Sequence, residues 1–334
     1  MLRTLNPNKA MIFSRCVDAT SASVAKGNSG LSGWLFHLVI RLLKDRGGRL
    51  ILRHKAYAYA QPMLAIKVHP CATPAGPARR AAPSTGHAMA SPPRLSVVIP
   101  HLNDQEGLRR CLLSLDAQKR DGIAFEIIVV DNGSAELPEQ ACAGIADVHL
   151  DHEATPGPGP ARNRGVSLAR ADLIAFIDAD CVACPGWVRS IVEYFDRNPA
   201  IGFLGGDIGI LAADPDSLTA VEAYESIYSY RARDYVERYG FAATGNMSVR
   251  GSVFRAVGPF GGIATMEDTE WGQRASAMGF KVDYLPQARV LTNSCRSFPQ
   301  LAKRWDRQVA HEFRNVDDAK AMVRWLFTGA VIAA

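Results

Sequence analysis

The sequence predicts an α/β domain with a mostly parallel central sheet and flanking helices, and three observations carry that reading. The continuous apolar run Leu173–Ile177 and the mainly apolar runs Leu95–Ile99 and Phe125–Val130, broken only by Ser96 and Glu126, read as buried strands. Segments with helical spacing of apolar residues lie between them, so strands and helices alternate as βαβ units do. Polar residues cluster where each run ends, which is where open α/β sheets hold their ligands.

In chain order, the first strand is followed by a helix from about Gln105, with Leu108, Cys111, Leu112 and Leu115 on one face. Phe125–Val130 is the second strand, Asp147–Leu150 a short third, and Pro160–Ala169 the next helix. Leu173–Ile177 delivers Asp178-Ala179-Asp180, and Ile201–Gly205 adds another strand. Beyond Asp214 the pattern reads as one long helix to about Tyr239, then the segment Gly245–Arg250. A helix over Glu267–Met278 and a strand over Val282–Leu285 follow. Cys181 and Cys184 read as structural thiols in a turn and helix start after Asp180, since no second Cys-x-x-Cys pair completes a zinc site.

Charge divides the chain. Residues 1–94 carry fourteen Lys/Arg against only Asp18 and Asp45, whereas 95–334 carry 24 basic and 31 acidic residues. The basic character therefore belongs to the N-terminal segment, and no groove-reading motif accompanies it, so nucleic acid is not an expected partner. Residues 1–94 read as an extension or linker: 68–93 is rich in Pro, Ala, Gly and Ser, and Met89 is an alternative start. Leu31–Leu43 is apolar but shorter than the roughly 20 residues that span a membrane. The working domain is placed at 95–315. The tail 316–334 ends in an apolar stretch with Arg324 and Trp325 before it, which suits an oligomer contact or a membrane interface. Seven scattered cysteines fit a reducing cytoplasm.

The chemistry sits at the strand ends. Two carboxylates one residue apart, Asp178 and Asp180, suit a hard divalent cation that also grips phosphate oxygens. The first strand runs into Pro100, Asn103 and Asp104, and the second into Asp131, Gly133 and Ser134, where the Asp131 carboxylate suits a nucleobase N–H. Gly157–Asn163 opens a helix whose free N–H groups, with Arg162, suit a pyrophosphate. Glu267 and Asp268 fall at a helix start. There is no Gly-x-Gly-x-x-Gly fingerprint after the first strand and no Walker A loop.

Taken in order, Val-Val-Ile-Pro-His-Leu-Asn103, Val-Val-Asp131-Asn-Gly-Ser, Ala-Arg162-Asn163-Arg-Gly, Asp178-Ala-Asp180, Thr-Gly245-Asn246-Met-Ser and Met-Glu267-Asp268 resemble family 2 glycosyltransferases of GT-A fold, over about residues 95–310. The resemblance implies an inverting transferase that takes a sugar from a UDP-, dTDP- or GDP-linked donor. The acceptor it implies is a hydroxyl of a glycan or lipid-linked molecule in cell-surface polysaccharide assembly, at or near the cytoplasmic membrane face. It implies that Asp131 contacts the base beside Asn103 and Asp104, and that Asp180, with Asp178, holds Mg²⁺ or Mn²⁺. Asp268 would be the general base, with Gly245, Asn246 and Glu267 bordering the sugar. Arg304 and Trp305 would meet diphosphate and sugar, and His311 would complete a metal shell. Leu102 stands where the family has an aromatic residue, and Asp104-Gln105 where it has an acidic pair. Two alternatives use the same fold: a nucleotidyltransferase acting on a triphosphate, and a catalytically silent binding subunit.

Overall fold

The computed structural model describes residues 92–314 except 264, and the side chains of 92–306. The N-terminal extension, the Leu31–Leu43 segment, the Met89 start and the apolar tail lie outside the described residues. Eight strands form one sheet in the order β3-β2-β1-β4-β7-β6-β8-β5. Strands β1 (Leu95–His101), β2 (Phe125–Asp131), β3 (Val148–His152) and β4 (Leu173–Ile177) pair in parallel. Every residue of β2 and β4 is buried, including Glu126 of β2, whose carboxylate is met by Ser96 and Arg170.

The other half of the sheet is mixed. Strand β7 (Asn246–Arg250) is antiparallel to both β4 and β6 (Ile201–Leu211). Strand β8 (Lys281–Asn293) runs parallel to β6, and the short β5 (Cys181–Ala183) closes the edge antiparallel to β8. Both β6 and β8 extend well past their apolar starts. Gly205-Gly206 and Pro286 interrupt the sequence pattern, and the ladder resumes beyond them with Asp207 opposite Arg289. The intervening residues of β8 form a bulge, a device that keeps pairing while re-aiming side chains.

Helices cover both faces. On one side α1 (Gln105–Asp116) and α4 (Trp187–Arg197) bury Leu108, Leu112, Trp187 and Phe195 against β1, β2 and β4. A short α2 (Glu139–Cys142) precedes β3. On the other side lie α3 (Pro158–Leu168), α6 (Ala232–Tyr239), α7 (Gly251–Val257) and α8 (Glu267–Ala277), around Phe176, Phe203, Phe254 and Trp271. All four apolar residues expected on one face of the first helix are fully buried.

Two expectations are corrected. The single helix to Tyr239 is two, α5 (Ala220–Tyr228) and α6, because Ser229–Arg231 leaves the helical path before α6 starts. Cys181 lies in a strand rather than a turn, since the backbone after Asp180 pairs with Val290–Thr292 of β8. Its thiol and that of Cys111 are buried, and burial pushes both well above the ordinary thiol range, which makes them inert packing groups.

The described chain divides into two compact units. One holds the sheet, with residues up to Ala213 and Glu225–Ser294, and the other holds Asp214–Tyr224 and the chain from Cys295, including α9 (Phe298–Arg314). Among the described residues, no helix is long and apolar enough to cross a membrane.

Helix α3 sits directly on β1. A Cβ placed on Gly165 would lie 2.3 Å from Cγ1 of Val98, so the helix approaches the strand more closely than any side chain permits. Gly165→Ala is therefore expected to overpack this contact and lower the unfolding free energy by about 1–3 kcal/mol, read from urea denaturation.

Candidate active site

The site lies at the carboxyl ends of β1, β2 and β4, and it is organised around a buried guanidinium. Arg162, on the first turns of α3, is 3% exposed. One of its terminal nitrogens donates to Asp178 Oδ1 at 2.7 Å and the other to Glu267 Oε1 at 2.9 Å. A fork-shaped donor group can hold two carboxylates at fixed separation in this way, where a lysine cannot. Burial disfavours the charge on Arg162, but Asp178, Glu267 and Asp268 outweigh it and hold its pKa above the ordinary arginine value. The strand end after β4 and the start of α8 are thus joined through one side chain.

Asn163 keeps that side chain in place. Its amide donates to the Phe260 carbonyl at 3.0 Å and accepts from the Phe260 N–H at 2.9 Å, fastening α3 to the loop that leads to α8. Gly245 lies against the other side of Asp178: a Cβ there would stand 2.9 Å from Asp178 Oδ2. Asp178 is therefore gripped by Arg162 on one oxygen and closely covered by backbone beside the other.

The acids differ in electrostatic state. Burial raises the Asp180 carboxyl above its ordinary value, and the charges of Asp178 and Asp104 raise it further, against a weak contact from Thr292. Arg162 neutralises part of this charge, but none of its nitrogens bonds Asp180. Excess negative charge on hard oxygen ligands is what a divalent cation relieves. Asp178 and Asp180 thus suit such an ion with phosphate oxygens of a substrate completing its shell, although among the described residues no three acidic, His or Cys side chains form a complete metal cluster. Burial also raises Asp268, and its neighbour Glu267 raises it further, while the Thr269 N–H, Arg162 and the Thr269 hydroxyl oppose the shift.

The ends of β1 and β2 form the second half of the site. Asp131 is 2% exposed; its Oδ1 lies 2.9 Å from His101 Nδ1, and its Oδ2 accepts from Gly133 N–H at 3.2 Å and Ser134 N–H at 3.0 Å. Burial pushes this carboxyl up, but the hydrogen bonds from Ser134, His101 and Gly133 prevail and hold it below the ordinary range. Asn103, at φ 53°, donates its N–H to Ser134 Oγ and accepts the Ala135 N–H, stitching the two strand ends together. Asp104 caps α1 through the Gly107 N–H at 2.9 Å, and Pro100 lies in β1 opposite Val130.

Comparison with known proteins bears on the family and the fold. Residues 96–256 match the family model described as glycosyl transferase family 2. That stretch is a family 2 glycosyltransferase domain. It is 26% identical over 218 residues to glycosyltransferase AglE of Haloferax volcanii, covering 64% of this chain and 70% of that protein. It is 28% identical over 292 residues to the pre-mycofactocin glycosyltransferase of Mycobacterium tuberculosis, covering 83% of this chain and 57% of the relative, so it spans little more than half of that protein. The solved structure of a mannosyltransferase from Pyrobaculum calidifontis, in complex with GDP-Man and Mn²⁺, superposes with a TM-score of 0.51 at 16% identity, over 73% of this chain and 74% of that one. The fold is GT-A.

The structure brings Asp178, Glu267, Asp268, Arg162 and Gly245 into one cluster, and Asn103, Asp104, Asp131, Gly133 and Ser134 into the adjoining one. It places Asn246 differently from the sequence expectation. That side chain is 2% exposed, accepts from the Trp187 indole N–H, and donates to the carbonyls of Asp207 and Ala288. It faces the core as a strut between α4, β6 and β8, with no donor left for a sugar. Arg162, expected at a pyrophosphate, has both terminal nitrogens committed to carboxylates. Arg304 and Trp305 lie in the other compact unit, where Trp305 meets Tyr224 and Phe298 edge-on at 5.6 and 6.1 Å. The His311 side chain lies outside the described residues.

Two residues escaped sequence reading: His101, described below, and Asn132. The Asn132 amide donates to the carbonyls of Glu153 and Thr155 and accepts the Gly157 N–H, shaping the loop that launches α3. Removing the central bridge tests its weight. Arg162→Met leaves two carboxylates unpartnered and is expected to lower the unfolding free energy by on the order of 3–5 kcal/mol, measured by chemical denaturation.

Proposed function

We propose that this domain transfers a sugar, with inversion, from a UDP-, dTDP- or GDP-linked donor to a hydroxyl of a glycan or lipid-linked acceptor in cell-surface polysaccharide assembly. The observation that carries the proposal is the Arg162 bridge, which sets the Asp178-Ala-Asp180 end of β4 beside the Glu267-Asp268 end of α8. A site for the leaving diphosphate and a site for the base are thereby held as one unit.

The donor nucleoside lies over the ends of β1 and β2. Donors from His101, Gly133 and Ser134 hold both oxygens of the Asp131 carboxylate, and a nucleobase N–H would share its acceptor capacity. Pro100, Asn103, Asp104, Gly133 and Ser134 border the same pocket. Asp180, with Asp178, holds Mg²⁺ or Mn²⁺, which when bound neutralises charge on the departing diphosphate. Gly245 and Glu267 border the transferred sugar.

Asp268 is the general base. Its carboxylate takes the proton of the acceptor hydroxyl as that oxygen attacks the anomeric carbon. The bond from that carbon to the diphosphate oxygen breaks on the opposite side, its electron pair leaves with the diphosphate, and configuration inverts. Burial and Glu267 raise the Asp268 pKa, which makes its carboxylate a stronger base than a solvated aspartate. Attachment at the inner membrane face is included in the proposal on the strength of the apolar tail bearing Arg324 and Trp325.

Isothermal calorimetry with UDP, dTDP and GDP, with and without Mn²⁺, tests the donor site. Metal-dependent binding of one nucleotide, abolished by Asp180→Ala, is expected. Absence of binding by folded protein would overturn the assignment and favour the silent binding subunit. With the donor identified, Asp268→Asn is expected to lower kcat by about 10²–10⁴-fold while leaving nucleotide affinity unchanged. Because the base acts deprotonated and its pKa is raised, the acid limb of the kcat profile should fall at a pH above the ordinary aspartate value of about 3.9. A limb at or below that value would remove Asp268 from the role.

A further inference from the structure

We infer that His101, fixed as its Nδ1–H tautomer, is the positioning residue that aims the Asp131 carboxylate at the nucleobase and couples it to the start of α1. The inference rests on the donor-site reading above and adds to it a residue whose part is to orient another. His101 ends β1 directly opposite Asp131 in the parallel register and is 1% exposed. The Asp104 N–H donates to its Nε2 at 3.2 Å. A ring nitrogen that accepts an N–H carries no proton, so the single imidazole proton is on Nδ1, which donates to Asp131 Oδ1 at 2.9 Å. The contact between His101 and Asp131 is therefore a hydrogen bond from a neutral ring to a carboxylate, even though its length also fits an ion pair.

This fixed tautomer has two consequences. The donor to Asp131 comes from a buried ring bonded at both nitrogens, so the carboxylate is held from one side by His101 and from the other by the Gly133 and Ser134 N–H groups. The carboxylate is then held in one orientation, as recognition of a ring N–H on a base requires. The same ring also fixes the backbone of Asp104, which caps α1 and whose charge bears on Asp180. Base recognition and the metal-binding carboxylates thus share one histidine as a spacer.

The two hydrogen bonds can be separated by substitution. His101→Asn places an amide N–H near the Nδ1 position and keeps the donor to Asp131 while losing the acceptor for Asp104. His101→Gln places its amide near Nε2, keeps that acceptor and loses the donor. Calorimetry with whichever of UDP, dTDP or GDP binds the parent protein is expected to show near-parental affinity for the Asn variant and about tenfold weaker binding for the Gln variant. Thermal melts of both variants report the structural effect separately. Equal losses of affinity in the two variants, or losses that follow the melting temperatures, would overturn the inference. If no nucleotide binds the parent protein, the donor-site reading falls instead. Imidazole ¹⁵N NMR of the parent protein tests the histidine independently: Nδ1 protonated and Nε2 bare is expected, and any other pattern contradicts it.

Discussion

The site depends on the neutralisation of one buried cation. A guanidinium as enclosed as Arg162 is tolerated only where carboxylates meet it with good geometry, and here they come from two elements far apart in sequence, the end of β4 and the start of α8. Much of the local architecture serves that meeting. Gly165 lets α3 lie against β1, Asn132 shapes the loop that starts α3, and Asn163 fastens the helix to Phe260. The ion pairs give little net stability, since burying the charges offsets most of their attraction. Their contribution is to fix where the carboxylates stand.

Three carboxylates of the site stand in different electrostatic states. Asp131 is held below the ordinary range by donors on both oxygens, Asp268 is pushed upward by burial and a like charge, and Asp180 is pushed upward by burial and two other carboxylates, with no bond from Arg162. Under the proposed function these states suit an acceptor, a base and a metal ligand respectively, and they follow from environment rather than residue type. The separation is of the kind expected of a group-transfer site, where the leaving group's charge and the nucleophile's proton are handled by different residues.

The sequence made the parallel half of the fold legible because β1, β2 and β4 are buried on both faces and write mainly apolar runs, broken only by the buried Ser96 and Glu126. The mixed half was less legible. Gly205-Gly206, Asp207 and Pro286 break the runs of β6 and β8, yet the ladder continues through a bulge. Antiparallel β5 is too short for its alternation to register. At the site, the acidic motifs were visible as motifs, but whom they face was not. The spacing of Arg162 to a glycine-rich helix start looks the same whether it meets a phosphate or two carboxylates, and only the packing of α3 decides. Asn246 sits in a motif-like segment, and its amide is consumed by Trp187 and two carbonyls that sequence does not place nearby. His101 had a readable signal: a histidine at the end of β1, level with Asp131 at the end of a parallel β2, faces it if the two strands are neighbours in register.

The most direct test of the bridge is a double-mutant cycle between Arg162→Met and Glu267→Gln, followed in unfolding free energy and in turnover. If Arg162 binds the two acidic motifs into one unit, Glu267→Gln should have much less effect once Arg162 is gone, with a coupling of about 1 kcal/mol or more in both measurements. Effects that add to within about 0.5 kcal/mol would show that the two motifs act independently and would contradict the role given to Arg162.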